Sequence, residues 1–210
     1  MINIVSKFID EKSLCKIDNK LLVAISGGAD SVALFLCLKE LGYDVELAHC
    51  NFNLRGDESD NDEEFVKQLA DKFGVRLHLK SFDTQKYADE NKVSIQMTAR
   101  DLRYKWFNEL LVDNNLNYIA VGHHKNDDVE TFFINLTRGS GLKGLLGIKT
   151  KNNNIIRPLL CVSRLEIEAY LSAVKQSFRE DSSNKSVKYL RNKIRYELIP
   201  LLTEMNPNIQ

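Results

Sequence analysis

The sequence predicts an α/β fold, a doubly wound and mostly parallel sheet with helices on both faces and a small helical C-terminal extension. Short apolar, β-rich runs alternate with longer helical ones, which implies right-handed crossovers between parallel strands. Three strand-like runs feed polar loops, SGGADS, HCNFNLR and GHHKNDDVET, and in such sheets ligands bind beyond the C-terminal strand ends. The length of 210 residues suits one sizeable domain, and 43% hydrophobic with 28% charged residues is ordinary for a soluble globular chain.

The elements follow in order. LLVAI (21–25) is an apolar run with the look of a buried strand, and DSVALFLCLKELG (30–42) is helical up to Gly42. VELAHC (45–50) is the next strand. SDNDEEFVKQLADKFG (59–74) has an acidic first turn suited to the helix dipole and ends on Gly74. VRLHLKSF (75–82) alternates as a strand does, and SIQMTARDLRYKWFNELLVDNN (94–115) is a long helix with an apolar face. YIAVGHH (118–124) is a strand with a polar end, and DVETFFINLTRG (128–139) is a helix closed by Gly139. Beyond Gly141 the character changes: GLKGLLGI (141–148) is glycine-rich, NNNIIRPLL (152–160) is strand-like up to Pro158, and SRLEIEAYLSAV (163–174) is a helix with a Ser cap. REDSSNKSVKYLRNKIRYELIP (179–200) is a polar loop leading into a basic helix. The expected division is a core over 1–150 and a basic extension over 151–210.

Composition excludes several classes. No apolar run reaches the ~18 residues that span a bilayer, and MINIVSKFIDEKS lacks the basic start and apolar stretch of a signal peptide, so a cytoplasmic protein is expected. Cys15, Cys37, Cys50 and Cys161 form no CxxC pair and no zinc-finger spacing, which fits free thiols. The net charge is zero but unevenly spread: residues 1–137 hold 16 basic against 23 acidic side chains, and residues 138–196 hold 13 against 4. The basic third is either a docking face for a polyanion or a solvated surface.

AISGGADSVAL (24–34) carries the first chemistry. A strand feeds Ser26, Gly27, Gly28 and Ala29, and a helix begins near Asp30. Glycines let an anion approach the backbone, N–H groups point at one place and the helix adds its positive end. Ser26 and Ser31 add hydroxyls. Asp30 repels a phosphate unless a cation lies between them, which implies Mg²⁺ bridging Asp30 and phosphates. A plain glycine turn capped by Asp or Ser has the same letters. No Lys-Ser or Lys-Thr closes the loop, so it is not a Walker A loop.

SGGADS resembles the pyrophosphate-loop signature of the ATP-pyrophosphatase (PP-loop) superfamily, whose fold is adenine nucleotide alpha hydrolase-like. Its members split ATP between the α and β phosphates and adenylate a carbonyl-type oxygen. HCNFNLRGDESDNDEEFV (49–66), ARDLRYKWF (99–107), GHHKNDDVET (122–131), RGSGLKGLLGI (138–148), RPLL (157–160) and EDSSN…YLRNKIRYELIP (180–200) follow in order. Together, from about Leu21 to Pro200, they resemble the tRNA(Ile)-lysidine synthase family. The resemblance implies ATP and Mg²⁺ as cofactors, and L-lysine and isoleucine tRNA with a CAU anticodon as partners. It also implies homodimers and further C-terminal domains.

Loop chemistry, charge pattern and the resemblance together suggest the expected roles. Ser26, Gly27, Gly28, Ala29, Asp30 and Ser31 hold the phosphates, while His49 and Asn51, at a strand end, meet adenosine. Asp127, Asp128 and Glu130 form the lysine site; Asp127 and Glu130, three apart, share a helix face. Arg100 clamps the α-phosphate, whereas Arg103 pairs with a surface acid. Of His123 and His124, one orients phosphates or base and the other packs. Arg138, Lys188, Arg191 and Arg195 are expected to contact tRNA phosphates. RGDESDNDEE (55–64) is expected to be a solvated helix start. Two rivals are a tRNA thiolase, against which the scattered cysteines argue, and a nucleotide-binding module, which leaves the acids and the basic tail unused.

Overall fold

A computed structural model describes residues 1–179 and 190–206. The chain opens with α1 (Ile2–Glu11), then alternates β1 (Lys20–Ala24), α2 (Ala29–Glu40), β2 (Asp44–Asn51), α3 (Asp57–Phe73) and β3 (Leu77–Ser81). Two helices follow, α4 (Thr84–Asn91) and α5 (Ile95–Asp113), before β4 (Tyr118–Ala120) and α6 (Lys125–Thr137). A 3₁₀ turn (Leu142–Leu146) leads to a small hairpin, β5 (Lys151–Asn152) and β6 (Ile155–Ile156). Then come α7 (Arg164–Ala173), α8 (Leu190–Lys193), a π turn (Ile194–Leu198) and α9 (Ile199–Met205).

The strand order is β3-β2-β1-β4-β6-β5. Every pairing is parallel except β5 with β6. The chain steps outward from β1 to β2 and β3, then returns to the other side of β1 with β4. A crevice therefore opens between the carboxyl ends of β1 and β4, where connections leave in opposite directions.

Alternation along β1 divides the core. Leu21 and Val23 join one buried cluster with α1, α2, α3 and α7, while Leu22 joins Trp106, Phe107, Leu110 and Leu111 of α5 on the opposite face. Helix α2 is buried from Ala29 to Leu38 save Asp30, because α1 and α7 cover the side that the sheet does not. These are the helices on both faces that the alternation predicts.

Some boundaries differ from expectation. The strand-like run 118–124 pairs only as far as Ala120. The run 152–160 is a hairpin and a 3₁₀ turn over Pro158–Cys161. Helix α4 has no apolar stripe to announce it; Thr84 and Ala88 alone are buried, and the Asp83 side chain caps its start by accepting from the Lys86 N–H. The expected division at residue 150 is crossed by the sheet: β6 pairs with β4, and Ile156, Leu159, Val162, Ile167 and Leu171 sit in the same core as β1. Among the described residues no helix is long and apolar enough to cross a membrane.

Candidate active site at the β1–β4 crevice

The loop between β1 and α2 forms the floor of the crevice. Gly27 has a φ of +90°, which a side chain would strain, and Gly28 opens α2 in extended backbone. The loop satisfies much of its own backbone. Ser26 N–H donates to Ser31 Oγ at 3.1 Å, Ser31 Oγ–H donates to Gly28 O at 2.9 Å, and Gly28 N–H donates to Ser26 Oγ at 3.3 Å. The two hydroxyls thus brace the turn, where the sequence suggested donors waiting for an anion. A sharp glycine turn leaves backbone groups that need such partners.

A second close approach lies behind the loop. A Cβ on Gly122, just past β4, would come within 3.0 Å of the Asp30 backbone carbon and 3.1 Å of Ser31 N. Glycine there lets β4 seat directly against the first turn of α2.

Two cavities meet at the loop, of about 910 and 1050 Å³. Each is large enough for a nucleotide-sized ligand. Ser26, Gly28, Asp30 and Asp127 line both. His49, Asn51, Arg100 and Arg103 line the first; Glu130, Arg164, Arg191 and Arg195 line the second.

In the first cavity, buried His49 donates from Nδ1 to the Ile25 carbonyl at 2.9 Å, and burial holds its pKa below the ordinary histidine value. Burial thus favours the neutral imidazole on the wall of this cavity. Asn51 is buried; its amide donates to Asp60 and Glu63 of α3 at 3.2 and 3.1 Å. Arg100 stands on the cavity wall with its guanidinium 4.9 Å from the Tyr104 ring. Arg103 stacks on Phe52 at 5.2 Å, where a surface acid was expected as its partner.

Between the cavities lies a charged knot. Asp30 Oδ1 accepts from Arg164 at 2.8 Å. His124, 4% exposed, places Nε2 3.7 Å from Asp30 and 3.6 Å from Asp127. Its Nδ1 is buried with no hydrogen-bond partner among the described residues. Burial pushes the Asp30 carboxyl above its usual range, while His124 and Arg164 pull it back. His123 accepts from Arg157 Nε at 3.1 Å, and its pKa is pushed down to about 4, chiefly by burial, with Arg157, Arg191 and Arg100 adding to the fall against Asp127.

Helix α6 carries the acids. Asp127 accepts from the His124 N–H at 3.1 Å. Glu130 is fully buried and paired with Arg195, whose second nitrogen lies 3.1 Å from Oε2, and with Arg191 at 3.5 Å. Arg195 also reaches Asp127 at 3.9 Å. Asp128 departs from the expected lysine set: its carboxylate accepts from the Ile148 N–H and lines neither cavity. Successive helix residues turn by about 100°, so Asp127 and Asp128 cannot face the same way.

Arg191 and Arg195, expected on tRNA phosphates, point inward onto Glu130. Arg138 is exposed at the end of α6, away from both cavities. Lys188 and the DSSN stretch (181–184) lie outside the described residues. The sequence assigns no role to Arg164, read only as part of a helix with a Ser cap, or to Arg157 of RPLL, whose guanidinium also donates to Lys149 O at 2.7 Å. A lone arginine beside a helix cap carries no signal of its own.

Among the described residues no group of three or more His, Cys, Asp or Glu side chains is arranged to hold a metal ion unaided. Asp30 with substrate phosphates is nonetheless a donor set that suits Mg²⁺, which usually takes one or two carboxylates plus phosphate oxygens.

Comparison with known proteins places the chain among relatives. The chain is 52% identical over 206 residues to a tRNA(Ile)-lysidine synthase of Bacteroides thetaiotaomicron, covering 98% of this chain and 48% of that protein. It is 43% identical over 187 residues to one of Chlorobaculum tepidum, covering 87% and 56%. The chain thus spans about half the length of the curated relatives it matches. Among solved structures, the U34-tRNA thiolase NcsA of Methanococcus maripaludis superposes with a TM-score of 0.77 at 19% identity, covering 98% of this chain and 73% of that one; this likeness speaks for the fold alone. A family model described as a PP-loop domain matches residues 2–202, so the chain belongs to the PP-loop family.

Proposed function

We propose that this chain carries ATP-dependent lysidine formation on isoleucine tRNA with a CAU anticodon. One observation carries the reading: the phosphate-loop aspartate, Asp30, and the acid of α6, Asp127, flank one buried histidine at 3.7 and 3.6 Å. The groups that would handle ATP and lysine therefore share a single crevice. The named relatives support the same substrates.

The chemistry runs in two steps. O2 of the wobble cytidine attacks the α-phosphorus, the bond to the β-phosphate oxygen breaks, and pyrophosphate leaves into the Ser26–Ser31 loop. The ε-nitrogen of lysine then bonds to C2, the C2–O bond breaks, and AMP departs with that oxygen. Arg100, on the wall of the first cavity, is suited to the charge that builds on the α-phosphate. His49 and Asn51 would line the adenosine. Asp30 would help to hold Mg²⁺, which would supply charge neutralisation at the phosphates. Asp127 and Glu130 offer carboxylates to the ammonium groups of lysine, with Arg191 and Arg195 balancing Glu130 until lysine enters. The attacking amine must lose a proton, and His124, whose Nε2 lies between Asp30 and Asp127, is placed to hold it.

The test is incubation with ATP, labelled lysine and the CAU tRNA. Lysine retained in the tRNA supports the reading; sulfur transfer independent of lysine, or ATP binding without turnover, overturns it.

A further inference from the structure

The acidic run at the start of α3 is not simply solvated. Ser59 and Asp62 are buried and fall on one stripe with Val66, Leu69 and Ala70. That stripe lies beneath the phosphate loop: a Cβ on Gly27 would stand 3.4 Å from Phe65 and 3.7 Å from Val66. Asp62 uses both carboxylate oxygens there. Oδ2 accepts from Arg55 at 2.9 Å and Oδ1 from Arg179 at 3.0 Å. Arg55 lines the first cavity and Arg179 the second. Arg179 also grips the loop itself. Its N–H donates to Gly27 O at 2.9 Å, and its side chain would stand 3.4 Å from a Cβ on Gly27.

We propose that Asp62 is a positioning residue for the phosphate loop: it ties Arg179, whose backbone holds the Gly27 carbonyl, to α3, so that the loop and the Arg179 guanidinium keep their aim at the pyrophosphate half of the nucleotide. The inference rests on the reading of the loop as an ATP site. Two arginines drawn to one point repel each other, and a shared buried carboxylate is what lets them converge. Arg55 is shared with Glu58 at 3.9 Å, whereas Arg179 stands against the loop, and pyrophosphate is a strongly charged ligand able to take paired donors from a guanidinium group. Through the Arg179 backbone the same contact fixes the carbonyl of the strained Gly27, so that the loop N–H groups keep their aim. Arg179 does not line the first cavity, where His49 and Asn51 stand, so AMP draws little from it.

Calorimetric titration of the intact chain tests this with α,β-methylene-ATP, inorganic pyrophosphate and AMP as probes. Asp62→Asn is expected to weaken pyrophosphate and the ATP analogue by about tenfold and to leave AMP within about twofold. Arg179→Ala should match it, and Arg179→Lys, which keeps the charge, should recover part of the loss. Thermal melts accompany each variant, and Arg179→Lys keeps the test open should Asp62→Asn fail to fold. Equal weakening of all three ligands would mean a merely structural role and overturn the proposal. So would pyrophosphate affinity unchanged within twofold in both Asp62→Asn and Arg179→Lys while the unaltered protein binds it. Failure of the unaltered protein to bind either ATP analogue or pyrophosphate would overturn the ATP reading, and this proposal with it.

Discussion

Glu130 is a carboxylate with 1% of its side chain exposed, held by Arg195 through two contacts and by Arg191 at 3.5 Å. Arg195→Ala removes its nearer partner. Breaking a buried pair costs about 3–5 kcal/mol when the remaining charge is left alone. Here Arg191 stays, and the Arg195 side chain is 32% exposed, so water reaches part of the site. The expected loss is about 2–3 kcal/mol, or roughly 5–10 °C in Tm for a domain of this size. In the Glu130→Gln background the carboxylate is gone, both arginines can turn to solvent, and Arg195→Ala should cost under about 1 kcal/mol. The assay is a double-mutant cycle by denaturant and thermal unfolding. Additive losses, with the two single costs summing to the double, would refute the view that Arg195 is there to neutralise Glu130.

Four further outcomes follow from the geometry. Gly122→Ala presses a methyl against the Asp30 backbone at 3.0 Å; it should cost about 1–3 kcal/mol and weaken ATP binding, and unchanged melting with unchanged binding would contradict the close approach. Asp127→Asn should raise the lysine KM at least about tenfold, whereas Asp128→Asn, aimed at Ile148, should change it by less than about twofold; steady-state kinetics distinguish them. Asp30→Asn should abolish AMP formation while far-ultraviolet circular dichroism stays unchanged, and turnover near the unaltered rate would remove Asp30 from the phosphate site. For His123, the folded pKa of about 4 lies below the ordinary value near 6.5, so the unfolded chain takes the proton first as pH falls. The stability it contributes is intact above about pH 6.5 and is lost down to about pH 4, by up to about 3 kcal/mol. Replacing it, as in His123→Asn, should flatten the stability profile across that window, and parallel profiles would argue against a buried neutral histidine.

Much of this site was legible in the chain, for identifiable reasons. Glycine spacing, a strand before and a helix after locate the Ser26–Ser31 loop, since few backbones turn so sharply without Gly27. The three-residue spacing of Asp127 and Glu130 predicts their common face, and both meet Arg195. Distance along the chain hid the rest. Arg164 reaches Asp30 across 134 positions and Arg179 reaches Asp62 across 117, and no local pattern announces such pairs. Asp128, next to Asp127 in the chain, turns to the Ile148 N–H because successive helix residues face about 100° apart. Asp62 was hidden among solvated acids, although its spacing from Val66 and Leu69 matches the buried stripe. Helix α4 escaped because its polar letters carry no period.

The central claim is that the β1–α2 loop takes pyrophosphate as a leaving group while AMP is transferred. Nucleotide product analysis with lysine and the CAU tRNA present tests it most directly. The account predicts one AMP and one pyrophosphate for each lysine retained in tRNA, and ADP with inorganic phosphate as the products would contradict it.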